Sequence, residues 1–234
     1  MEQTGRWILQ PTNMLVMWSG GVDSTYCLAR ILKESKYERV HAHHIALHNF
    51  ERRGNAESEA LRKLMPKLQQ IRPFTFTENL IDDSRMPTMV YDMARVCFEA
   101  GAVSKALYHH PDIKLSLDKW CIGTHSAEGH WQERFDVISQ STRAAEWSPN
   151  REKFIEFELQ PMVSKAAEME YLSDLGLLQD CWYCRTPQNG ARCNRCKTCV
   201  EVDAAIMASG KLGTITRSIA HETNNDTSSR FANG

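Results

Sequence analysis

The hexapeptide Ser19-Gly20-Gly21-Val22-Asp23-Ser24 directly follows the apolar run Met14-Leu15-Val16-Met17-Trp18. Two adjacent glycines let a backbone turn sharply and approach a ligand without Cβ obstruction. A helix beginning just after them offers unpaired N–H groups and the positive end of its dipole, so the segment has the makings of an anion site. Ser19, Ser24 and Thr25 add hydroxyl donors, while Gly20, Gly21 and Val22 supply main-chain amides. Asp23 would repel a phosphate, and its place makes sense as a helix cap or as a group facing a magnesium ion. No lysine follows the glycines as in a Gly-x-x-x-x-Gly-Lys-Ser/Thr loop, and no Gly-x-Gly-x-x-Gly pattern is present.

The second chemical signal is a cysteine cluster. Of eight cysteines, five fall within residues 181–199, and Cys184, Cys193, Cys196 and Cys199 read C-x8-C-x2-C-x2-C. Pairs two residues apart can share one tetrahedral Zn2+, and four thiolates leave no open position, which predicts a structural rather than a catalytic metal. Pro187, Asn189 and Gly190 fit a turn between the first ligand and the rest. Cys181 is a further candidate, because Cys181-x2-Cys184 is itself a plausible pair.

The elements that must position these residues follow from hydrophobic spacing. Residues 14–18 read as a buried strand stopped by glycine. Cys27, Leu28, Ile31 and Leu32 share a helical face, predicting a helix from Ser24 to Glu34. Val40 to Leu47 reads as a strand, Glu57 to Leu68 as a helix and Phe74-Thr75-Phe76 as a strand. Met89, Val90, Met93, Val96 and Cys97 mark a third helix. Trp120-Cys121-Ile122-Gly123 reads as a fourth strand, Lys165 to Leu175 as a later helix and Val200 to Ala208 as a last one. Alternating strands and helices predict an α/β fold, a parallel sheet with helices on both faces, plus a small C-terminal zinc-binding module. Ligands then bind beyond the carboxyl ends of strands, where both Ser19 and Gly123 fall. The expected organisation is an ATP-binding domain over 1–180, the zinc module over 181–208 packed on it, and a polar tail over 209–234.

The chain of 234 residues has a formal net charge of −1. No overall field steers it to nucleic acid or anionic membranes. No stretch approaches the roughly 20 apolar residues of a membrane span, and the first residues lack the order of a signal peptide, so a cytoplasmic protein is expected.

The stretch 19–24 resembles the PP-loop of the ATP pyrophosphatase superfamily. Combined with C-x8-C-x2-C-x2-C near the other end, it is similar to the 7-cyano-7-deazaguanine synthase family, whose cysteine spacing begins at the position of Cys184. Two middle segments look like that family as well, Trp120 to Glu128 and Glu158 to Lys165. The resemblance spans roughly residues 14–208. It implies an adenine nucleotide alpha-hydrolase-like fold and a ligase that uses ATP, Mg2+ and free ammonia to turn 7-carboxy-7-deazaguanine into the nitrile. The carboxylate and then the amide would be adenylated, releasing AMP and pyrophosphate twice. The product would feed a modified base of tRNA or DNA, with a homodimer as the possible assembly and no direct nucleic-acid contact. The family's Pro-Gly-Arg-Asn at the start of the third helix is replaced by Ser-Arg-Met-Pro-Thr at 84–88, a departure that bears on the substrate. Another PP-loop enzyme, an amidating ligase or a tRNA thiolase, is the alternative; a thiolase would want a cysteine pair near the ATP, and Cys97 and Cys121 stand singly in apolar runs. A non-catalytic nucleotide-sensing or zinc-ribbon protein is a third reading.

Four smaller features carry lesser expectations. Lys165 could neutralise a phosphate as charge moves to pyrophosphate, or simply open a helix. Gly123 could let ATP approach the sheet edge, or simply end a strand. His41 and His43 should share one face of their strand with His44 on the other, without metal-ligand spacing. Trp131 and Phe135 could stack on a heterocycle, though a helix-packing aromatic pair is favoured.

Overall fold

The computed structural model describes residues 12–34, 36–86, 92–125, 131–147 and 153–208, with only the backbone of 131–133 included. Five strands, β1 (Met14–Met17), β2 (Val40–His48), β3 (Thr75–Asp82), β4 (Lys119–Ile122) and β5 (Glu156–Phe157), form one sheet in the order β3-β2-β1-β4-β5. Every pairing in it is parallel. Six helices accompany it: α1 (Val22–Glu34), α2 (Gly54–Ile71), α3 (Asp92–His109), α4 (Trp131–Glu146), α5 (Lys165–Asp174) and α6 (Lys197–Ala208).

The period-2 alternation of β1 divides the core in two. Met14 and Val16 face a cluster built with α1, α2, α5 and α6, where Leu28, Leu64, Met169 and Val202 are buried. Leu15 and Met17 face the other side, with Cys97, Val103 and Leu107 of α3 and Ile138 of α4. Apolar side chains on both faces are what make β1 a near-continuous hydrophobic run. Val202 and Ala205 belong to the first cluster, so α6 of the cysteine module is buried against the sheet domain.

Sequence spacing located most elements but misplaced several ends and missed two elements. The helix after the glycine loop begins at Val22, two residues before Ser24. β3 runs on to Asp82 instead of stopping at Phe76. Its polar Thr77, Glu78 and Asn79 hide the strand from a hydrophobic count, but it pairs β2 continuously from His41↔Thr75 to His48↔Asp82. α4 and β5 went unread: Trp131 begins a helix that runs to Glu146, and β5 is only two residues long. Met89 and Val90, the segment 87–88, Ser126 to Glu128 and the tail 209–234 lie outside the described residues.

Candidate functional site

The strand order reverses at β1, which has β2 on one side and β4 on the other. Ligands of open parallel sheets bind at such a switch point, past the strand ends. Met17 and Ile122 are register partners there, so Ser19 and Gly123 emerge side by side.

Gly20 holds φ +74, in the left-handed region that favours glycine. A Cβ on it would come within 2.8 Å of Leu61 Cδ1, so α2 packs directly against the turn. The loop then closes on itself. Ser19 N–H donates to Ser24 Oγ at 3.2 Å, the two hydroxyls lie 3.0 Å apart, and Ser24 Oγ donates to the Gly21 carbonyl at 3.3 Å. This holds the strand end against the first turn of α1, whose leading amides have no intrahelical acceptors. Thr25 is different: its side chain is fully buried and its hydroxyl accepts the Trp18 indole N–H at 3.1 Å, so it braces the core and offers no side-chain donor to a phosphate. Val22 is also buried.

Asp23 is not a cap, because it lies inside the first turn of α1. Its carboxylate pairs instead with Lys165 at the first position of α5. Lys165 also lies 3.4 Å from the fully buried Glu168. Burial pulls the Lys165 ammonium below its ordinary value, while Glu168 opposes that shift. Gly123 has a sharper role than either expectation: a Cβ there would overlap the Asp23 carbonyl carbon and the Ser24 nitrogen. Glycine is needed because β4 and the amino end of α1 touch, main chain to main chain.

Next to the loop opens a cavity of about 260 Å3. Met17, Ile45, Met93, Val96 and Ile122 give it apolar walls, and Ser19 and Gly123 bring the glycine loop to its edge. Charged side chains surround the rest. Arg53 contacts Glu51 at 2.8 Å, Glu57 at 3.2 Å and Asp92 at 2.9 Å. Arg185 contacts the same Glu51 at 3.0 Å and the same Asp92 at 2.9 Å. Burial raises the Glu57 carboxyl to about 7, against the opposing pull of Arg53. Of these residues Glu57 drew notice in the sequence, as the first residue of a predicted helix. Glu57, Asp92 and Arg185 come from three distant segments with no shared motif.

Cys184, Cys193, Cys196 and Cys199 place their sulfurs within 4.8 Å of one another. Four thiolates around one Zn2+ fit that spacing, since Zn–S bonds of about 2.3 Å put the sulfurs at opposite corners of a small tetrahedron. Main-chain amides already point at them: Cys193 N–H donates to Cys184 Sγ and Cys196 N–H to Cys193 Sγ, each at 3.2 Å. Thr186 and the amides of Arg195 and Cys196 pull the Cys193 thiol down to about 5. Cys181 lies apart in the core, donating to the Leu177 carbonyl at 3.5 Å, and burial pushes its thiol up to about 12. The spacing-based preference for Cys184 agrees with this arrangement.

No protein-family model matches this chain, and no curated protein matches it. Its chemistry therefore rests on its own residues.

Three other sequence features find their places. Phe135 packs edge-on to Phe157 at 6.0 Å inside the second core cluster, away from a stacking role; the Trp131 side chain is outside the described residues. Cys121 does not stand singly, because its sulfur lies 3.6 Å from Cys27 Sγ. Both are buried, and burial raises the Cys121 thiol well above its ordinary value, which makes Cys121 a poor nucleophile at neutral pH. The histidines form a cross-strand chain. Asn79 Nδ2 donates to Glu99, which leaves its Oδ1 to accept from His43 Nε2. His43 Nδ1 then accepts from the Thr77 hydroxyl, Thr77 Oγ1 accepts from His41 Nε2, and His41 Nδ1 accepts from Thr75. Burial lowers each ring to about 4, so both are neutral near pH 7, and every ring nitrogen of the two has a partner. Among the described residues no helix is long and apolar enough to cross a membrane.

Proposed function

We propose that this chain cleaves ATP between its α- and β-phosphates and transfers AMP to a carboxylate, within an adenine nucleotide alpha-hydrolase-like fold. The observation that carries the reading is the cavity beside the glycine loop, with Ser19 and Gly123 on its rim. The reacting groups of a nucleotide and an acceptor would meet there, at the switch point of the sheet. The first-turn amides of α1 and the Ser19 and Ser24 hydroxyls would receive the pyrophosphate as its charge develops. Lys165, held at the same helix end by Asp23, would add a positive charge to the leaving group. Asp23 would also face a magnesium ion, which supplies charge neutralisation on the triphosphate when bound.

The acceptor best supported by the family resemblance is 7-carboxy-7-deazaguanine. A carboxylate oxygen attacks the α-phosphorus and the bond to pyrophosphate breaks. Ammonia displaces AMP to give the amide. The amide oxygen is adenylated by a second ATP, and loss of AMP and a proton leaves the nitrile. Zn2+ on the four cysteines remains structural.

Nucleotide product analysis tests this. Incubation with ATP, magnesium, ammonia and 7-carboxy-7-deazaguanine should yield AMP and pyrophosphate in equal amounts, with the nitrile seen by mass spectrometry. ADP as the sole nucleotide product, or no turnover, would overturn the proposal. AMP formed without the nitrile, or only with another acceptor, would point to an amidating ligase on the same scaffold.

A further inference from the structure

The cysteine module reaches the glycine loop and the cavity through residues next to its first ligand. Trp182 donates its backbone N–H to the Gly20 carbonyl at 2.9 Å, and its own carbonyl would sit 3.2 Å from a Cβ on Gly21. The Trp182 indole N–H donates to the Cys184 carbonyl at 2.8 Å, tying that contact to the ligand itself. Arg185 sits between the ligand Cys184 and Thr186, whose hydroxyl donates to the Cys193 sulfur at 3.3 Å. Its guanidinium lines the cavity and closes a ring of alternating charges, Arg53–Glu51–Arg185–Asp92, with contacts of 2.8, 3.0, 2.9 and 2.9 Å. That ring joins the turn after β2, the start of α3 and the module. A wall of the cavity and one carbonyl of the glycine loop therefore hang on the conformation of Trp182 to Arg185, which the sulfur cluster fixes.

We propose that metal binding at the four cysteines and ligand binding at the glycine loop are thermodynamically coupled, with Trp182 and Arg185 as the positioning residues that carry the coupling. A ring of ion pairs with shared partners is a unit, so losing one member frees the others to rearrange. Without the metal, Arg185 loses the fixed sulfur cluster that positions its backbone. Its side chain then leaves Glu51 and Asp92, and the cavity wall and loop loosen together. Linkage is reciprocal: whatever the metal adds to nucleotide affinity, the nucleotide adds to metal affinity.

The coupling rests on the glycine loop being a nucleotide site, so its test has two arms. In the first, zinc affinity of the full chain is measured by competition with a colorimetric chelator. Saturating ATP should raise it on the order of tenfold. Arg185→Ala keeps all four ligands and should still bind one zinc, but the ATP effect should shrink severalfold; Trp182→Phe, which keeps an aromatic ring but removes the indole N–H that bonds the Cys184 carbonyl, should shrink it too. Equal zinc affinity with and without bound ATP in the unaltered chain overturns the coupling.

The second arm needs no ATP. Deuterium exchange of residues 19–25 and 49–57 should speed up on zinc removal, while the α3 core around Cys97 stays protected. The zinc-loaded Arg185→Ala protein should show the same loosening at 49–57. Unchanged exchange in both places overturns the coupling, even if ATP binds. Faster exchange with no ATP binding leaves the coupling standing and overturns the nucleotide reading alone.

Discussion

Lys165 and Asp23, 142 residues apart in the chain, meet as an ion pair at the amino end of α1. The contact joins the first turn of the helix after the glycine loop to the first residue of α5. A carboxylate beside a predicted anion site looked out of place in the sequence. Its cation answers the question, because Lys165 offsets the Asp23 charge at the helix end.

Lys165→Met should be costly in two separate ways. It strips the cation from Asp23 and from the fully buried Glu168. Removing one member of a buried pair costs roughly 3–5 kcal/mol, which denaturant melts would register. Adding Glu168→Gln should restore at least about 1 kcal/mol, because the stranded charge is gone. AMP formation should stay down by about 100-fold or more in both variants if Lys165 meets the leaving pyrophosphate. A rate that recovers along with stability would make Lys165 purely structural.

Two glycine substitutions should behave very differently. Gly123→Ala drives a methyl into the backbone of Asp23 and Ser24, which cannot move without shifting α1. Overpacking of that kind costs about 1–3 kcal/mol or more, and here it also displaces the loop. Gly176 has φ +65 and no atom within 4 Å of where a Cβ would stand, so Gly176→Ala should cost only about 1 kcal/mol of backbone strain. Equal melting temperatures for the two would contradict the close approach of β4 to α1.

The parallel α/β architecture was legible because its signals are local. The apolar run of β1, the glycine stop and the helical face of α1 all lie within residues 14–34. The four-cysteine cluster was legible for the same reason. The cavity was not, since the local pair Arg53 and Glu57 meets Asp92 and Arg185 only through sheet order and through packing of the cysteine module. β3 was half hidden because its polar Thr75 and Thr77 pair with His41 and His43 of β2 instead of adding to an apolar count. Gly123 could be marked as special, but spacing could not say that its neighbour is the α1 backbone.

The metal site separates two neighbouring cysteines. Purified protein should carry about one zinc per chain. Cys184→Ser should lose it, since Cys184 lies in the sulfur cluster. Cys181→Ser should keep it, because that thiol is bonded to Leu177 in the core. Stripping the zinc should lower the melting temperature by about 5 °C or more, a loss of a few kcal/mol at this chain length. Elemental analysis of the two variants decides the matter, and loss of zinc in Cys181→Ser would reassign the ligand.

Acid sensitivity follows from the buried histidines. His41 and His43 fall to about 4 in the folded chain from an ordinary 6.5, because burial penalises the charged ring. Between those values the unfolded chain binds more protons, so stability rises with pH from about 4 to 6.5 and is lost as pH falls through that window. Glu57 runs the other way. Its folded value of about 7 exceeds the ordinary 4.5, so the folded chain holds the extra proton and stability falls as pH rises between them. Two histidines outweigh one glutamate where the windows overlap, so the net slope from pH 4.5 to 6.5 should be positive. Glu57→Gln should steepen that slope by about one proton equivalent, and it should flatten the decline between pH 6.5 and 7. Urea unfolding at half-unit pH steps measures both, and a stability that is level from pH 4.5 to 6.5 in the unaltered chain would contradict the neutral, fully bonded histidine chain.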